Sequence, residues 1–474
     1  MKSLTWKSLS AAQRAAALQR PAQKAQKRTT VIVAGILSLV RRGGDRALRR
    51  LTAKLDGAKL KSLRVSPAEF AAAEKALSPT DRAALKTAYA NIRKFHLAQQ
   101  TKAIRVETTK GIVCEKVTRP IERVGLYVPG GSAPLFSTAL MLGVPSQIAS
   151  EAGSLARPEQ SRRASTVRVL CTPPGRDGKI SPWILCAAQF CGITEVFKVG
   201  GAQAIAAMAY GTATIPKCDK LYGPGNSFVT EAKLQVSRDP AGAAIDLPAG
   251  PSEVMVIADR SAWASFVAAD LLSQAEHGPD SQVMLVTFSE ATAFQIALEV
   301  RNQLKLLPRG AIAAEALEKS RILIASSPAE AVEIANRYAP EHLILQVEKP
   351  RALLPKITTS GSVFIGPWTP ESLGDYASGT NHVLPTYGWA HSCSGLGLAD
   401  FQRTMTVQEA SPAGLRKLGP VVERLATAEN LVAHGRAVTV RLQKLATGRA
   451  RPPGAPRISS RQRNGGPSGP ALPS

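Results

Sequence analysis

The sequence is short of several things, and each shortage narrows what the protein can be. Aromatic residues make up 5% of the 474, and none interleave with basic residues as in a base-stacking platform. That argues against nucleic acid as the main partner, despite a formal net charge of +25. The charge is also unevenly spread. Residues 1–60 carry fourteen Lys and Arg against Asp45 and Asp56, and residues 449–474 add five arginines and no acid. Basic ends of this kind read as solvated or acid-seeking segments rather than a binding groove. No run approaches the ~18 consecutive apolar residues of a membrane span. VIVAGILSLV, residues 31–40, is short enough for a core segment and lacks a small-residue cleavage site after it, so the protein is expected in the cytoplasm. Cysteine is scarce: Cys114, Cys171, Cys186, Cys191, Cys218 and Cys393, with no Cys-x-x-Cys pair. Most lie in apolar runs, as buried reduced thiols do. A G-x-G-x-x-G opening a helix after a strand is absent as well.

What is present is an alternation. The first hundred residues read as helices rich in Ala, Leu, Lys and Arg. From 111 onward short β-branched runs alternate with alanine-rich helical stretches: VRVLC then SPWILCAAQFCG, EVFKVG then AQAIAAMAYG, EVMVIAD then the helix containing DLLSQAEHG. MLVTFS, RILIAS and LILQV continue the series. This is the pattern of parallel sheets covered by helices. Residues 400–446 read as helix again. The Pro/Gly/Ser/Arg-rich segment after them is expected to be disordered, and residues 150–165 read as a surface insertion.

Three Gly/Pro turns follow strands, in YVPGGSAP, VGGAQ and YGPGN. Glycine lets a ligand approach the backbone, and a helix N-terminus offers unpaired N–H groups to an anion. Each turn alone is compatible with a plain βα connection; together they raise a dinucleotide site. DLLSQAEHG sets Gln274 and His277 three residues apart, on one face if helical. By itself that pair is equally a hydrogen-bonded helix end before Gly278 and Pro279. Only six histidines occur, at 96, 277, 342, 382, 391 and 434. Three sit in polar islands: QAEHG, APEHL and GDYASGTNH. A Gly/Ser/Thr/Asn-rich loop has no packing reason to hold Asp375 and His382, so these residues point to a site with N/O ligands, for which zinc is the usual metal.

These motifs resemble the histidinol dehydrogenase family. The likeness runs from about residue 30 to 446 and is carried by IDLPAGPSEVMVIAD with DLLSQAEHG, GLYVPGG, VGGAQAIAAMAYGT, YGPGN, APEHL, GDYASGTNHVLPT and DFQRTMTVQ, in order. It implies an α/β fold of two Rossmann-like lobes with parallel sheets, plus small helical N-terminal and C-terminal arms. The implied division is an N-terminal helical arm over 1–20, a discontinuous larger lobe over 21–126 and 252–396, and an NAD-binding lobe over 127–251. A C-terminal arm over 397–447, exchanged between subunits of a homodimer, and the basic tail 448–474 complete it. The implied reaction is oxidation of L-histidinol to L-histidine through the aldehyde with two NAD. The resemblance places one zinc per subunit on Gln274, His277, Asp375 and His434, and the acid–base pair on Glu341 and His342. Substrate contacts fall on Ser252, His382 and Glu429 beside the four zinc ligands and His342. Cofactor contacts fall on Tyr127, Gln203 and Asn226. A related zinc- and NAD-dependent dehydrogenase of another small alcohol is the alternative, and a metal-dependent hydrolase or a basic binding protein are more distant ones. The insertion, the tail, the basic N-terminus and His391 depart from the family pattern.

Overall fold

Chain order begins with β1 (Lys2–Thr5), α1 (Ala11–Ala17), α2 (Gln26–Leu55), α3 (Pro67–Ala76), α4 (Pro79–Leu97), β2 (Ile104–Thr109) and β3 (Ile112–Pro120). The computed structural model describes all residues except 22–25, 131–133, 156–165, 249 and 448–474. The helix starts follow local chemistry. Ser66 and Ser78 each accept an N–H from the residue three further on, and the Glu69 and Asp81 carboxylates reach back, with proline in the first turn. Next come β4 (Arg123–Tyr127), α5 (Phe136–Leu155), β5 (Val167–Thr172), α6 (Pro182–Phe190), β6 (Glu195–Lys198), α7 (Gly201–Tyr210), β7 (Lys220–Tyr222), α8 (Ser227–Arg238) and β8 (Ala244–Ile245). These strands form a parallel five-stranded sheet in the order β6-β5-β4-β7-β8.

The chain continues through β9 (Glu253–Ala258), α9 (Ala264–Ala275), β10 (Gln282–Thr287), α10 (Glu290–Leu304), α11 (Gly310–Glu318), β11 (Arg321–Ile324), α12 (Pro328–Tyr338), β12 (His342–Gln346), α13 (Pro350–Leu353), β13 (Ser362–Ile365) and α14 (Glu371–Tyr376). A parallel six-stranded sheet in the order β1-β11-β10-β9-β12-β13 results. Finally β14 (Gln402–Ala410) precedes α15 (Pro412–Ala428) and α16 (Val432–Ala446). Among the described residues, those of 1–101 and 119–403 make one compact unit, and those of 102–118 and 404–447 a second.

Both parallel sheets are buried on two faces, and the two-residue period decides which side chain meets which layer. On β9 and β10, Val254, Val256, Val283 and Leu285 cluster with α9, α10 and α11, while Met255, Ile257, Met284 and Val286 meet α12 and Trp6. On β5, Leu170 joins the cluster of α3 to α6, while Val169 and Cys171 join that of α2 and α7. Cys171, Cys186, Cys191 and Cys218 are buried free thiols. No described helix is long and apolar enough to cross a membrane.

Several expectations need revision. Residues 2–5 are not helical: they pair with β11 as an edge strand, and Trp6 plugs the core beneath. Helices α2, α3 and α4 cover the five-stranded sheet, because Val33, Leu37, Leu85 and Ile92 find their apolar partners there. Residues 402–410 form a strand before the terminal helices begin. Asp375 sits in helix α14 rather than in a loop. Residues 150–155 continue α5; the rest of the expected insertion, and the tail 448–474, lie outside the described residues.

Candidate active site

Helix α12 closes with Ala339 in a left-handed conformation, φ 50°. Pro340 then feeds Glu341 and His342 into the amino end of β12, and both side chains are buried. One residue, Glu253, holds the pair through its main chain. Its N–H donates to Glu341 Oε2 at 2.8 Å, and its carbonyl lies 3.0 Å from His342 Nδ1. A carbonyl can only accept, so Nδ1 carries a proton and the neutral ring keeps its lone pair on Nε2. That Nε2 is buried without a hydrogen-bond partner, 3.4 Å from Asp375 Oδ1. Burial pushes the Glu341 carboxyl up to about 8, against the nearby imidazole and the Glu253 N–H. Burial opposes charge on His342, but Glu341, Glu371 and Asp375 around it outweigh that and raise its proton affinity well above the ordinary histidine value.

Glu253 is itself anchored. Its carboxylate receives Arg20 Nε at 2.6 Å, Arg20 Nη2 at 3.0 Å and the Tyr387 N–H at 2.9 Å. Arg20 also donates to the Tyr338 carbonyl at 2.7 Å and lies over the Tyr338 ring, 4.0 Å from its centroid.

The second group of residues faces this one. Helix α9 ends at Ala275, so His277 lies in the turn beyond it rather than on the helical face with Gln274. Gln274 is buried in the last turn, and its amide nitrogen donates to both oxygens of Glu371 when turned toward that carboxylate. In that orientation the amide oxygen keeps its lone pairs. Ser273 Oγ also donates to Glu371, at 3.3 Å. Burial raises the Glu371 carboxyl well above the usual range. Asp270, one turn back on α9, accepts from Gln346 Nε2 at 2.7 Å, and burial takes its carboxyl up to about 7. Glu371 and Asp375 stand four residues apart on α14, on one side of the helix. Desolvation opposes the Asp375 charge, but His342, His382 and His277 hold that carboxyl below the ordinary range. His277 is exposed as a residue, and partial desolvation of its ring, with His342 and His382 nearby, lowers its proton affinity while Asp375 pulls the other way. His382 Nδ1 lies 2.8 Å from the Asp375 carbonyl and Nε2 3.1 Å from Thr138 Oγ1, which assigns the proton to Nδ1 and makes the threonine hydroxyl the donor to Nε2. Among the described residues no three His, Cys, Asp or Glu side chains converge closely enough to hold a metal ion. Of the residues expected to hold zinc, Gln274 meets Glu371, which stands one turn before Asp375, and His277 lies near enough to Asp375 to act on its charge.

His434, in α16, and Glu429, at the end of α15, belong to the second unit, and both are exposed. Ser252 immediately precedes β9, and its carbonyl accepts from the Gln282 N–H at 3.1 Å. In the five-stranded sheet Tyr127 closes β4, and its hydroxyl accepts the Gly201 N–H at 3.1 Å. Gln203 lies buried in the first turn of α7. Asn226 caps α8 by accepting the Phe228 and Val229 N–H groups, both at 3.1 Å. Gly223, just before it at φ 117°, passes so close to Tyr127 that a Cβ would stand 2.2 Å from the Tyr127 carbonyl oxygen. The buried Lys233–Asp246 pair grips this turn from both sides, Lys233 donating to the Gly223 carbonyl and Asp246 accepting the Gly223 N–H, each at 2.8 Å.

Fold and site together define an α/β protein with a buried acid–imidazole pair beside N/O donors and a second sheet bearing glycine turns. Comparison with known proteins is sharper. The sequence model of the histidinol dehydrogenase family matches residues 18–442. Over 445 residues the chain is 56% identical to the histidinol dehydrogenase of Vibrio cholerae, covering 94% of this chain and 99% of that one. It is 54% identical to that of Xylella fastidiosa, covering 93% and 99%. The crystal structure of histidinol dehydrogenase from Elizabethkingia anophelis superposes with a TM-score of 0.86 at 46% identity, covering 94% of this chain and 99% of that one. The chain belongs to the histidinol dehydrogenase family, and so to the oxidoreductases.

Four residues of this site escaped the sequence reading. Glu371 had a signal, since ESLGD spaces it one turn from Asp375. Asp270 opened the stretch DLLSQAEHG but resembled any helix-surface acid. Arg20 and Glu253 carried none, being 233 residues apart.

Proposed function

We propose that the protein oxidises L-histidinol to L-histidine through L-histidinaldehyde, as the last steps of histidine biosynthesis, passing one hydride to each of two NAD. The observation that carries this reading is the Glu341–His342 pair held on the Glu253 main chain in a chain of this family. In the alcohol step the lone pair of His342 Nε2, fixed in place by the Nδ1 bond, takes the hydroxyl proton as hydride leaves the carbon. In the aldehyde step Glu341, as carboxylate, takes a proton from water as that water adds to the carbonyl, whose oxygen takes the proton that His342 gained in the alcohol step; the hydrate then passes its hydride to the second NAD as His342 Nε2 takes a hydroxyl proton, leaving the carboxylic acid. The raised proton affinity of Glu341 makes it a stronger base once ionised.

Gln274, His277 and Asp375 suit a zinc ion in donor chemistry, and Glu371, donated to by the Gln274 amide, is the outer partner that would orient that ligand. His434 would complete the set. Zinc there would supply a fixed positive centre that orients the imidazole and amino groups of the substrate. Ser252, His382 and Glu429 would fix the rest of the substrate. Tyr127, Gln203 and Asn226 would receive NAD. A homodimer with shared sites would bring His434 and Glu429 from a second copy. The exposed apolar side chains Val421, Val422, Leu425, Leu431 and Val432 of the second unit support such pairing.

A single-turnover experiment with histidinol, followed by NADH absorbance, tests the division of roles. Glu341→Gln should form the first NADH per site and then stall, because an amide is a poor base toward water. His342→Asn should suppress the first NADH as well, by about 10²–10⁴-fold. Equal first-turnover rates in the two variants would refute the assignment.

A further inference from the structure

Arg20 is remote in sequence from every motif of the family, yet it meets the site at two points. Its guanidinium makes a two-pronged pair with Glu253, with side-chain exposures of 9% and 2%. The same nitrogen that takes the second Glu253 oxygen donates to the Tyr338 carbonyl, three residues before Glu341. So one side chain ties the first residue of β9 to the end of α12. Between those two points lies the machinery. The Glu253 N–H holds Glu341, the Glu253 carbonyl holds His342, and Ala339 makes the left-handed turn that leads into both. Gln282 on β10 braces the same corner, accepting the Tyr338 hydroxyl at 2.8 Å and donating to the Gln19 carbonyl at 3.2 Å. The Tyr387 N–H is the remaining donor to the Glu253 carboxylate.

We propose that Arg20 is a positioning residue: through Glu253 and the Tyr338 carbonyl it sets the main-chain frame from which Glu341 and His342 act. This rests on the reading that these two residues move the protons. A planar two-pronged contact fixes both distance and rotation, which a single ammonium contact does not. The N–H and the carbonyl belong to the two peptides that flank the Glu253 Cα, so a shift or twist of that residue in the strand would displace both, and both proton transfers would lose alignment at once. A displacement of about 1 Å at a reacting group can cost about 10²-fold in rate.

The test uses the zinc-loaded, full-length protein and measures the rate constants for the first and second NADH per active site, with sites counted separately by bound zinc. Arg20→Met should slow both steps about tenfold or more per site, while the KM for histidinol and the zinc content stay within about twofold. Arg20→Lys should be intermediate. If Arg20→Met fails to fold because it leaves Glu253 charged and unpaired, the double variant Arg20→Met/Glu253→Gln buries no charge and should show the same slowing. A structural role alone would reduce the number of active sites and leave the rate per site unchanged, and that outcome overturns the inference. A Lys variant as fast as the unaltered protein would show that one charged contact is enough and would overturn it too; one as slow as the Met variant would show that the two-pronged geometry is required. Glu341→Gln and His342→Asn run beside these variants as controls. If they slow their steps and the Arg20 variants do not, only the positioning role fails; if they too are unchanged, the reading beneath it has failed.

Discussion

The two sheets of the first unit carry their candidate functional residues on opposite edges. In the five-stranded sheet Tyr127 closes β4, Gln203 follows β6 and Asn226 follows β7, all at carboxyl ends. In the six-stranded sheet Ser252 precedes β9 and Glu341 with His342 opens β12, all at amino ends. The carboxyl edge of a parallel sheet is where following helices begin, so it offers unpaired N–H groups and partial positive charge. Gly201 and Ser227 start α7 and α8 there, a setting suited to an anionic dinucleotide. The amino edge is where preceding helices end. Helices α9 and α12 finish beside Gln274 and Glu341, presenting carbonyls and partial negative charge, a setting suited to a cation. One sheet topology thus supplies two electrostatically opposite rims, and the division of labour between them can be broken experimentally.

The largest effect is expected at the amino edge. His277→Asn should lower zinc content and turnover together by about 10²-fold or more, beyond the loss typical of an outer partner, with far-UV circular dichroism unchanged. Full turnover with normal zinc would remove His277 from the site. At the carboxyl edge the expected change is smaller and of another kind. Asn226→Ser preserves the helix cap, so any effect reports the cofactor; the KM for NAD should rise about tenfold, with zinc content and turnover at saturating NAD unchanged. A fall in zinc content there would erase the contrast between the edges.

A third experiment addresses burial behind the amino edge. Asp270, with its carboxyl near 7, binds its proton more tightly in the folded state than in the unfolded chain. The native state therefore holds more protons between the ordinary carboxylate range and about 7, and the stabilisation from this group is lost as pH rises through that window. Asp270→Asn can still accept from Gln346 and carries no charge. Its urea midpoint should fall less between pH 5 and pH 8 than that of the unaltered protein; parallel slopes would exclude Asp270 as a source. The smallest effect is expected outside both edges. Truncation after Ala446 removes a segment poor in large apolar groups and should leave turnover and oligomeric state unchanged, as judged by assay and light scattering. Lost activity or a change of mass would give the tail a part in the fold.

Where the residues speak locally, the sequence was legible. The alternation in VRVLC or EVMVIA and the alanine-rich partners beside it mark buried parallel strands and their helices, because both faces of each strand are covered. APEHL placed two functional groups side by side, and the left-handed turn before them explains how both are buried. Residues 2–5 gave no such signal: KSLT is short and mostly exposed, and becomes a strand only because β11 lies ready to pair. QRTMTVQEA is nearly all exposed in the structure, so no core face marked it as a strand. The Gln274–Glu371 and Arg20–Glu253 contacts join distant segments, and no spacing rule can register a bond whose partners meet only after the chain has folded back.

The pairing of β1 with β11 has a bearing on how the chain is made. Lys2 must find Arg321 and Thr5 must find Ile324, so β1 cannot be seated until more than three hundred further residues have been made. Until then Trp6 lacks part of the core it enters and the β10 edge has no cover. Such distant pairings are slow to form, and an open edge beside an unseated indole is open to the wrong neighbour. A nascent chain stalled before residue 321 should accordingly bind holding chaperones through the segment around Trp6, and release them only when the far strand emerges.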